Sequence, residues 1–135
     1  MNNIQMIDAL AADATMNADK RRIEASVRLH DDAATGSDGV YLELSVSHNK
    51  DYKQFNIYAH LETRKTERGF QTSMWEPMNS RHNLRLPAVR ADRYSQKALR
   101  DAWHHALETL RNAPETLDGL DLQWKSTMAD ADDAA

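Results

Sequence analysis

The sequence contains no cysteine and, among its 135 residues, only four glycines and three prolines. Without cysteine there are no disulfides, thiolate nucleophiles or thiolate metal sites, so packing alone must hold the fold together. No run approaches the roughly 18 to 20 apolar residues needed to span a bilayer. Asp8 and Asp13 fall where a signal peptide has its basic start and apolar middle. We therefore expect a cytoplasmic protein with no membrane partner.

Familiar catalytic motifs are also missing. The glycines are scattered, so neither a Gly-x-Ser-x-Gly elbow nor a glycine-rich phosphate loop is present. Asp31 and Asp32 stand in a glycine-containing segment, where aspartate is typical of a turn. His104 and His105 are adjacent in a predicted helix, so their side chains diverge by about 100° and cannot bind one ion. These features predict a protein that is not an enzyme and has no cofactor.

The one pair of side chains with metal-binding geometry is His60 and Glu62. They are two residues apart in a predicted strand, so both project from the same face. Two ligands make a weak site, and spacing identifies no third ligand. We therefore predict no bound metal and interpret the pair as part of an exposed polar cross-strand set.

The overall composition is that of an ordinary globular protein. Hydrophobic residues make up 41% of the chain and charged residues 28%. The length is typical of one domain and too short for two separate cores. We predict a single α+β domain over residues 1–127. The remaining residues, 128–135, contain aspartates among alanines and are predicted to form a disordered acidic tail.

Two segments have the apolar spacing of amphipathic helices. The first is short and begins near the N-terminus, with the predicted buried residues Ile4, Ile7, Leu10, Ala11 and Ala14. The second runs from Gln96 to Arg111, has Ser95 as its N-cap and is closed by Pro114. Its predicted buried stripe consists of Leu99, Ala102, Trp103, Ala106, Leu107 and Leu110.

Between the helices, four segments alternate apolar and polar residues, as half-buried strands do. They cover residues 22–30, 40–46, 55–61 and 70–74, with a charged loop predicted from Glu62 to Gly69. A short strand at Leu84 and Leu86 is expected to end at Pro87, and a last strand is expected at residues 120–124. Short connections favour an antiparallel β-meander of four to six strands, with the N-terminal helix and the long C-terminal helix packed on one face.

The segment between the fourth strand and the long helix is the predicted protein-binding surface. Tryptophan, methionine and arginine are enriched at interfaces, and this segment contains all three, although the same residues are also common where a core ends. The predicted surface consists of Trp75, Met78, Arg81, Arg85, Arg90 and Arg93. The leading hypothesis is a non-enzymatic protein-binding accessory factor, an inhibitor or adaptor. A phage- or plasmid-borne inhibitor of a host defence complex belongs to this class.

The alternative hypothesis is nucleic-acid binding by a basic sheet face carrying Tyr41, Tyr52, Lys53 and Tyr58. Exposed tyrosines can stack on bases, and Tyr52 and Tyr58 are both predicted to face away from the core. The net charge is −4, yet residues 48–111 are basic overall and the flanking segments are acidic. Folding could cancel these charges, or the basic segment could remain free to bind an anion. An enzyme with a cryptic site is the third hypothesis.

Ser95, Gln96, Lys97, Ala98 and Leu99 begin a helix that resembles the final helix of double-stranded-RNA-binding domains. The order of one helix, three strands and another helix is similar as well. The sequence departs from that family because about thirty residues separate the third strand from the helix, and because Lys97 stands alone where the family has a lysine cluster. Size and acidity also resemble dimeric secretion chaperones, which would imply a homodimer. Neither resemblance assigns a family.

Overall fold

The structure is a computed structural model that describes residues 3–30, 39–75 and 83–112. Its six strands form one antiparallel sheet in the order β1-β2-β3-β4-β5, with β6 also paired to β4. The predicted α+β class, the meander and both helices are confirmed. The elements are α1 (Asn3–Asp13), β1 (Thr15–Asn17), β2 (Arg22–His30), β3 (Gly39–Asn49), β4 (Gln54–Glu67), β5 (Phe70–Trp75), β6 (Asn83–Arg90) and α2 (Gln96–Asn112).

The apolar residues of β2, β3 and β4 alternate onto one face of the sheet, and both helices pack there. We call this the inner face. The predicted stripe of α2 is buried along its whole length, and Trp103 is only 4% exposed. Ser95 begins this helix as predicted, because its Oγ accepts a hydrogen bond from the Ala98 amide at 3.0 Å. The core therefore lies between the inner face and the two helices.

The predicted stripe of α1 is wrong at three positions. Ile4 is 64% exposed, and Ala11 and Ala14 are also exposed, whereas Met6 is buried beside Ile7 and Leu10. The helix contacts both β2 and α2, so its buried side is turned toward both neighbours. Helical spacing shows that one side is apolar, but only the two neighbours select which residues are covered.

The predicted charged loop from Glu62 to Gly69 is wrong, because β4 continues to Glu67. Only Arg68 and Gly69 form the turn, and their φ angles of 53° and 84° are both positive. Two-residue turns of this kind match the right-handed twist of the strands that they join. The first half of β4 pairs with β6 and its second half with β5, so β5 and β6 lie along the same edge of β4.

The predicted end of the following strand at Pro87 is also wrong. β6 continues to Arg90, and the register shifts between Phe55, which pairs with Val89, and Ile57, which pairs with Leu86. Pro87 and Ala88 thus form a bulge at which proline's missing amide hydrogen is tolerated. Because of the extra residue, Arg85 and Arg90 both project from the face opposite the core. In a regular strand without a bulge, two residues that are five positions apart lie on opposite faces.

Neither described helix is long and apolar enough to cross a membrane. The short edge strand β1 was not predicted, since three residues are too few for alternation to be recognised. The predicted last strand at residues 120–124, the predicted tail at 128–135 and the predicted turn at Asp31 and Asp32 lie outside the described residues.

Candidate functional site: the open face of the sheet

The face of the sheet opposite the helices is polar, and we call it the open face. It is formed by the alternate residues of β2, β3 and β4, together with β6, that do not enter the core. Its central members are Ser26, Tyr41, Glu43, Tyr58, His60, Glu62, Arg64 and Arg85.

Arg64 lies at the centre of a hydrogen-bond network on this face. Its Nη2 donates to Glu43 Oε2 at 3.1 Å and to Glu62 Oε1 at 3.0 Å. Its Nη1 donates to Ser26 Oγ at 2.9 Å, and its guanidinium carbon lies 4.6 Å from the centroid of the Tyr41 ring. One side chain of β4 therefore contacts both β2 and β3, and charge-assisted bonds of this kind are the stronger hydrogen bonds in proteins.

Glu43 and Glu62 converge with His60 beside this arginine. The register of β3 and β4 sets Glu43 directly opposite His60, and His60 Nε2 lies 3.6 Å from Glu62 Oε1. One ligand atom from each of the three residues lies within 4.8 Å of the others. Glu62 is only 3% exposed, so the prediction of an exposed polar set is wrong for this residue. The cluster can hold a cation or share a proton.

Sequence reasoning found His60 and Glu62 but missed Glu43 as the third group. The turn between β3 and β4 could have identified this residue. Asn49 pairs with Gln54 at the turn, and the same number of residues away from it along each strand brings Glu43 opposite His60. Spacing within one strand cannot reveal such a partner, because it depends on the register between strands.

Burial raises the pKa of the Glu43 carboxyl above its ordinary value of 4.5, and a hydrogen bond with Glu62 raises it further. Nearby His60 and Arg64 act in the opposite direction, and the charge of Glu62 raises the pKa again. Burial and the second carboxylate thus outweigh the attraction of the neighbouring cations.

A cleft of about 260 Å³ lies beside the network, between the end of α1 and the strands. One of its walls is fixed by Asp13, whose Oδ2 accepts a hydrogen bond from the Ser26 amide at 2.8 Å. Small-molecule sites usually measure about 300–1,000 Å³, so this cleft is smaller than a typical metabolite pocket. It is lined by Asp13, Thr15, Glu24, Ala25, Ser26, Glu43 and Arg64.

Three of the predicted protein-binding residues have described side chains. Arg85 is exposed, and its guanidinium carbon lies 5.6 Å from the centroid of the Tyr58 ring. Arg90 is exposed and lies 3.4 Å from Asp92, and Arg93 is exposed in the connection to α2. Trp75 ends β5, but its side chain lies outside the described residues, as do Met78 and Arg81. Arg85 and Arg90 therefore lie on the open face with Tyr58, and Arg85 contacts the Tyr58 ring.

The predicted nucleic-acid residues separate into two groups. Tyr41 and Tyr58 lie on the open face, whereas Tyr52 and Lys53 lie in the turn before β4. Tyr52 is 75% exposed there, and strand alternation does not set its direction because β4 begins only at Gln54. The four predicted residues do not form one surface.

Searches of protein-family models, curated proteins and solved structures found no match to this chain.

Proposed function

We propose that this chain is a protein-binding accessory factor of the inhibitor or adaptor kind, and that its partner docks on the β6 side of the open face. The observation that carries the proposal is the bulge at Pro87. This bulge puts Arg85 and Arg90 on the same face as Tyr58. Arginine and tyrosine are among the residue types most enriched at interface hot spots, and here they lie on paired strands rather than on loops.

The charges of this surface define the chemistry of the partner. Arg85 is exposed beside Tyr58, which is 38% exposed. The ion pair of Arg90 with Asp92 lies in solvent, where such pairs contribute little, so the Arg90 guanidinium is available to a partner. Arg93 adds a third exposed cation near the end of β6. We expect a protein with acidic side chains opposite these arginines and an apolar or amide group against the Tyr58 ring.

A protein fits this face better than a nucleic acid does. Phosphate backbones bind to rows of cations, whereas the centre of the open face carries the carboxylates Glu43 and Glu62. Two described ion pairs, Arg64 with Glu43 and Arg111 with Asp8, join bases of the middle segment to acids of the first segment. Folding thus cancels part of the basic charge that favoured an anionic partner.

Site-specific photo-crosslinking tests the proposal. A photoreactive phenylalanine replaces Tyr58 in one variant and Tyr52 in a matched control, because both tyrosines are exposed but only Tyr58 lies on the open face. In the native host, position 58 should crosslink to one partner protein and position 52 should not. Crosslinks to nucleic acid at position 58, or equal crosslinking at both positions, would contradict the proposal.

Substitution of the arginines gives a second and independent readout. Arg85→Ala and Arg90→Ala should each reduce recovery of the partner crosslinked at position 58, while Arg100→Ala on the exposed side of α2 should not. All three should stay within about 0.5 kcal/mol of the parent in stability, because the side chains are exposed. Undiminished recovery in both β6 variants would locate the interface elsewhere.

A further inference from the structure

We propose that Glu43, His60 and Glu62 form a binding site for a divalent transition-metal ion of the zinc type at the centre of the open face. The set provides one imidazole nitrogen and two carboxylates, and both are ligand types that zinc binds in proteins. Strand pairing fixes the positions of the three residues, since Glu43 is directly opposite His60, and Glu62 follows two residues later on the same side. The site goes beyond the proposed protein binding, which does not require a metal.

The distances between the ligand atoms suit such an ion. The three ligand atoms lie within 4.8 Å of one another. In a tetrahedral zinc site, two ligand atoms that are each bonded at about 2.0–2.2 Å lie about 3.3–3.6 Å apart. Closing the difference requires side-chain movements of about 1 Å, which rotamer changes supply without movement of the strands. Glu43 and His60 are only partly buried, so an ion can reach them from solvent.

The two carboxylates already converge on one cationic atom. Arg64 Nη2 is held by one oxygen of Glu43 and one of Glu62. A metal ion cannot occupy the position of this nitrogen while the rigid guanidinium stays bonded to Ser26 through Nη1. The guanidinium and the ion therefore compete for the same carboxylate oxygens, and the Arg64 side chain must move away from them when the ion binds.

The charges also favour a divalent cation. Two carboxylates lie close together here, and Glu62 is almost completely buried. Electrostatic attraction is stronger where water is excluded, so carboxylates in this position attract a divalent ion more strongly than exposed carboxylates do. The imidazole selects among ions, because nitrogen ligands suit zinc, copper, iron and nickel, whereas calcium and magnesium require oxygen ligands in larger number.

Isothermal titration of the full chain with Zn²⁺, and separately with Ca²⁺ and Mg²⁺, tests this site. We expect one Zn²⁺ per chain and no comparable binding of the other two ions. Loss of a hydrogen-bond partner outside the coordination shell costs about 10–100-fold in metal affinity, so losing a direct ligand in His60→Gln or Glu62→Gln should cost more than about 100-fold. The matched control, His104→Gln with His105→Gln, removes two exposed imidazoles of α2 and should leave the affinity unchanged.

Arg64→Gln provides an independent test, because its expected effect on Zn²⁺ affinity is opposite to that of the ligand substitutions. Removing the competing guanidinium should tighten Zn²⁺ binding, so unchanged or weaker binding in the folded variant overturns the proposal. The proposal is also overturned if the parent takes up no Zn²⁺, if Ca²⁺ binds equally well, or if His60→Gln binds as the parent does. Circular dichroism confirms that each variant is folded. His60 is only partly buried, so His60→Gln remains informative if Glu62→Gln does not fold.

Discussion

Replacing Arg64 with methionine removes a guanidinium that contacts both Glu43 and Glu62 while keeping an unbranched side chain. The variant loses the bonds to Ser26, Glu43 and Glu62 and leaves two carboxylates side by side. Removing one partner of a buried ion pair costs about 3–5 kcal/mol. Glu62 is buried, but a quarter of the Glu43 side chain is exposed, so we expect the lower end of that range.

The predicted loss can be measured as a change in melting temperature. For a chain of this size, 1 kcal/mol corresponds to about 4 °C, so Arg64→Met should lower the melting temperature by roughly 10–15 °C. Thermal unfolding followed by circular dichroism, with a chelator present to remove adventitious metal, is the appropriate assay. The loss should be smaller at low pH, because protonated carboxyls no longer repel each other.

A double-mutant cycle separates lost charge compensation from lost packing. Adding Glu62→Gln to Arg64→Met removes the carboxylate that the first substitution leaves uncompensated. The double variant should therefore recover part of the stability that Arg64→Met lost, although Glu62→Gln is destabilising in the parent. If Arg64→Met stays within about 0.5 kcal/mol of the parent at pH 7, or if Glu62→Gln brings no recovery, the reasoning about the network is refuted.

Three further predictions follow from described contacts. The raised pKa of Glu43 means that the folded state binds more protons than the unfolded state just above pH 4.5, so this residue's contribution to stability falls as pH rises. Glu43→Gln should therefore increase the melting temperature relative to the parent more at pH 7 than at pH 4.5. Trp103→Ala should lower the free energy of unfolding by about 3–5 kcal/mol in a urea titration, whereas His104→Ala on the exposed side should change it little. Ser95→Ala should cost about 1 kcal/mol in the same titration, because the first turn of α2 loses its cap; an unchanged midpoint would contradict that role.

Local patterns in the sequence were sufficient for most of the fold. The stripe of α2 from Leu99 to Leu110 and the alternation of β2, β3 and β4 each occur within one segment. Their periods alone distinguish helix from strand. The patterns failed to predict how far a strand continues once its side chains no longer pack in the core. At Glu62–Glu67 and at Pro87 the chain remains in a strand, and its pairing with neighbours, rather than its apolar spacing, keeps it there.

The candidate site shows the same division more sharply. The sequence determined that His60 and Glu62 share a face, because residues two apart in a strand always do. Only the register between β3 and β4 brought Glu43 to them, and only the reach of Arg64 across the sheet joined both carboxylates to Ser26. Likewise, the sequence supplied Arg85 and Arg90, but the bulge at Pro87 decided that both face the same way. Period is a property of one segment, whereas register and bulges are set by pairing between segments distant in sequence, so only the tertiary structure could decide them.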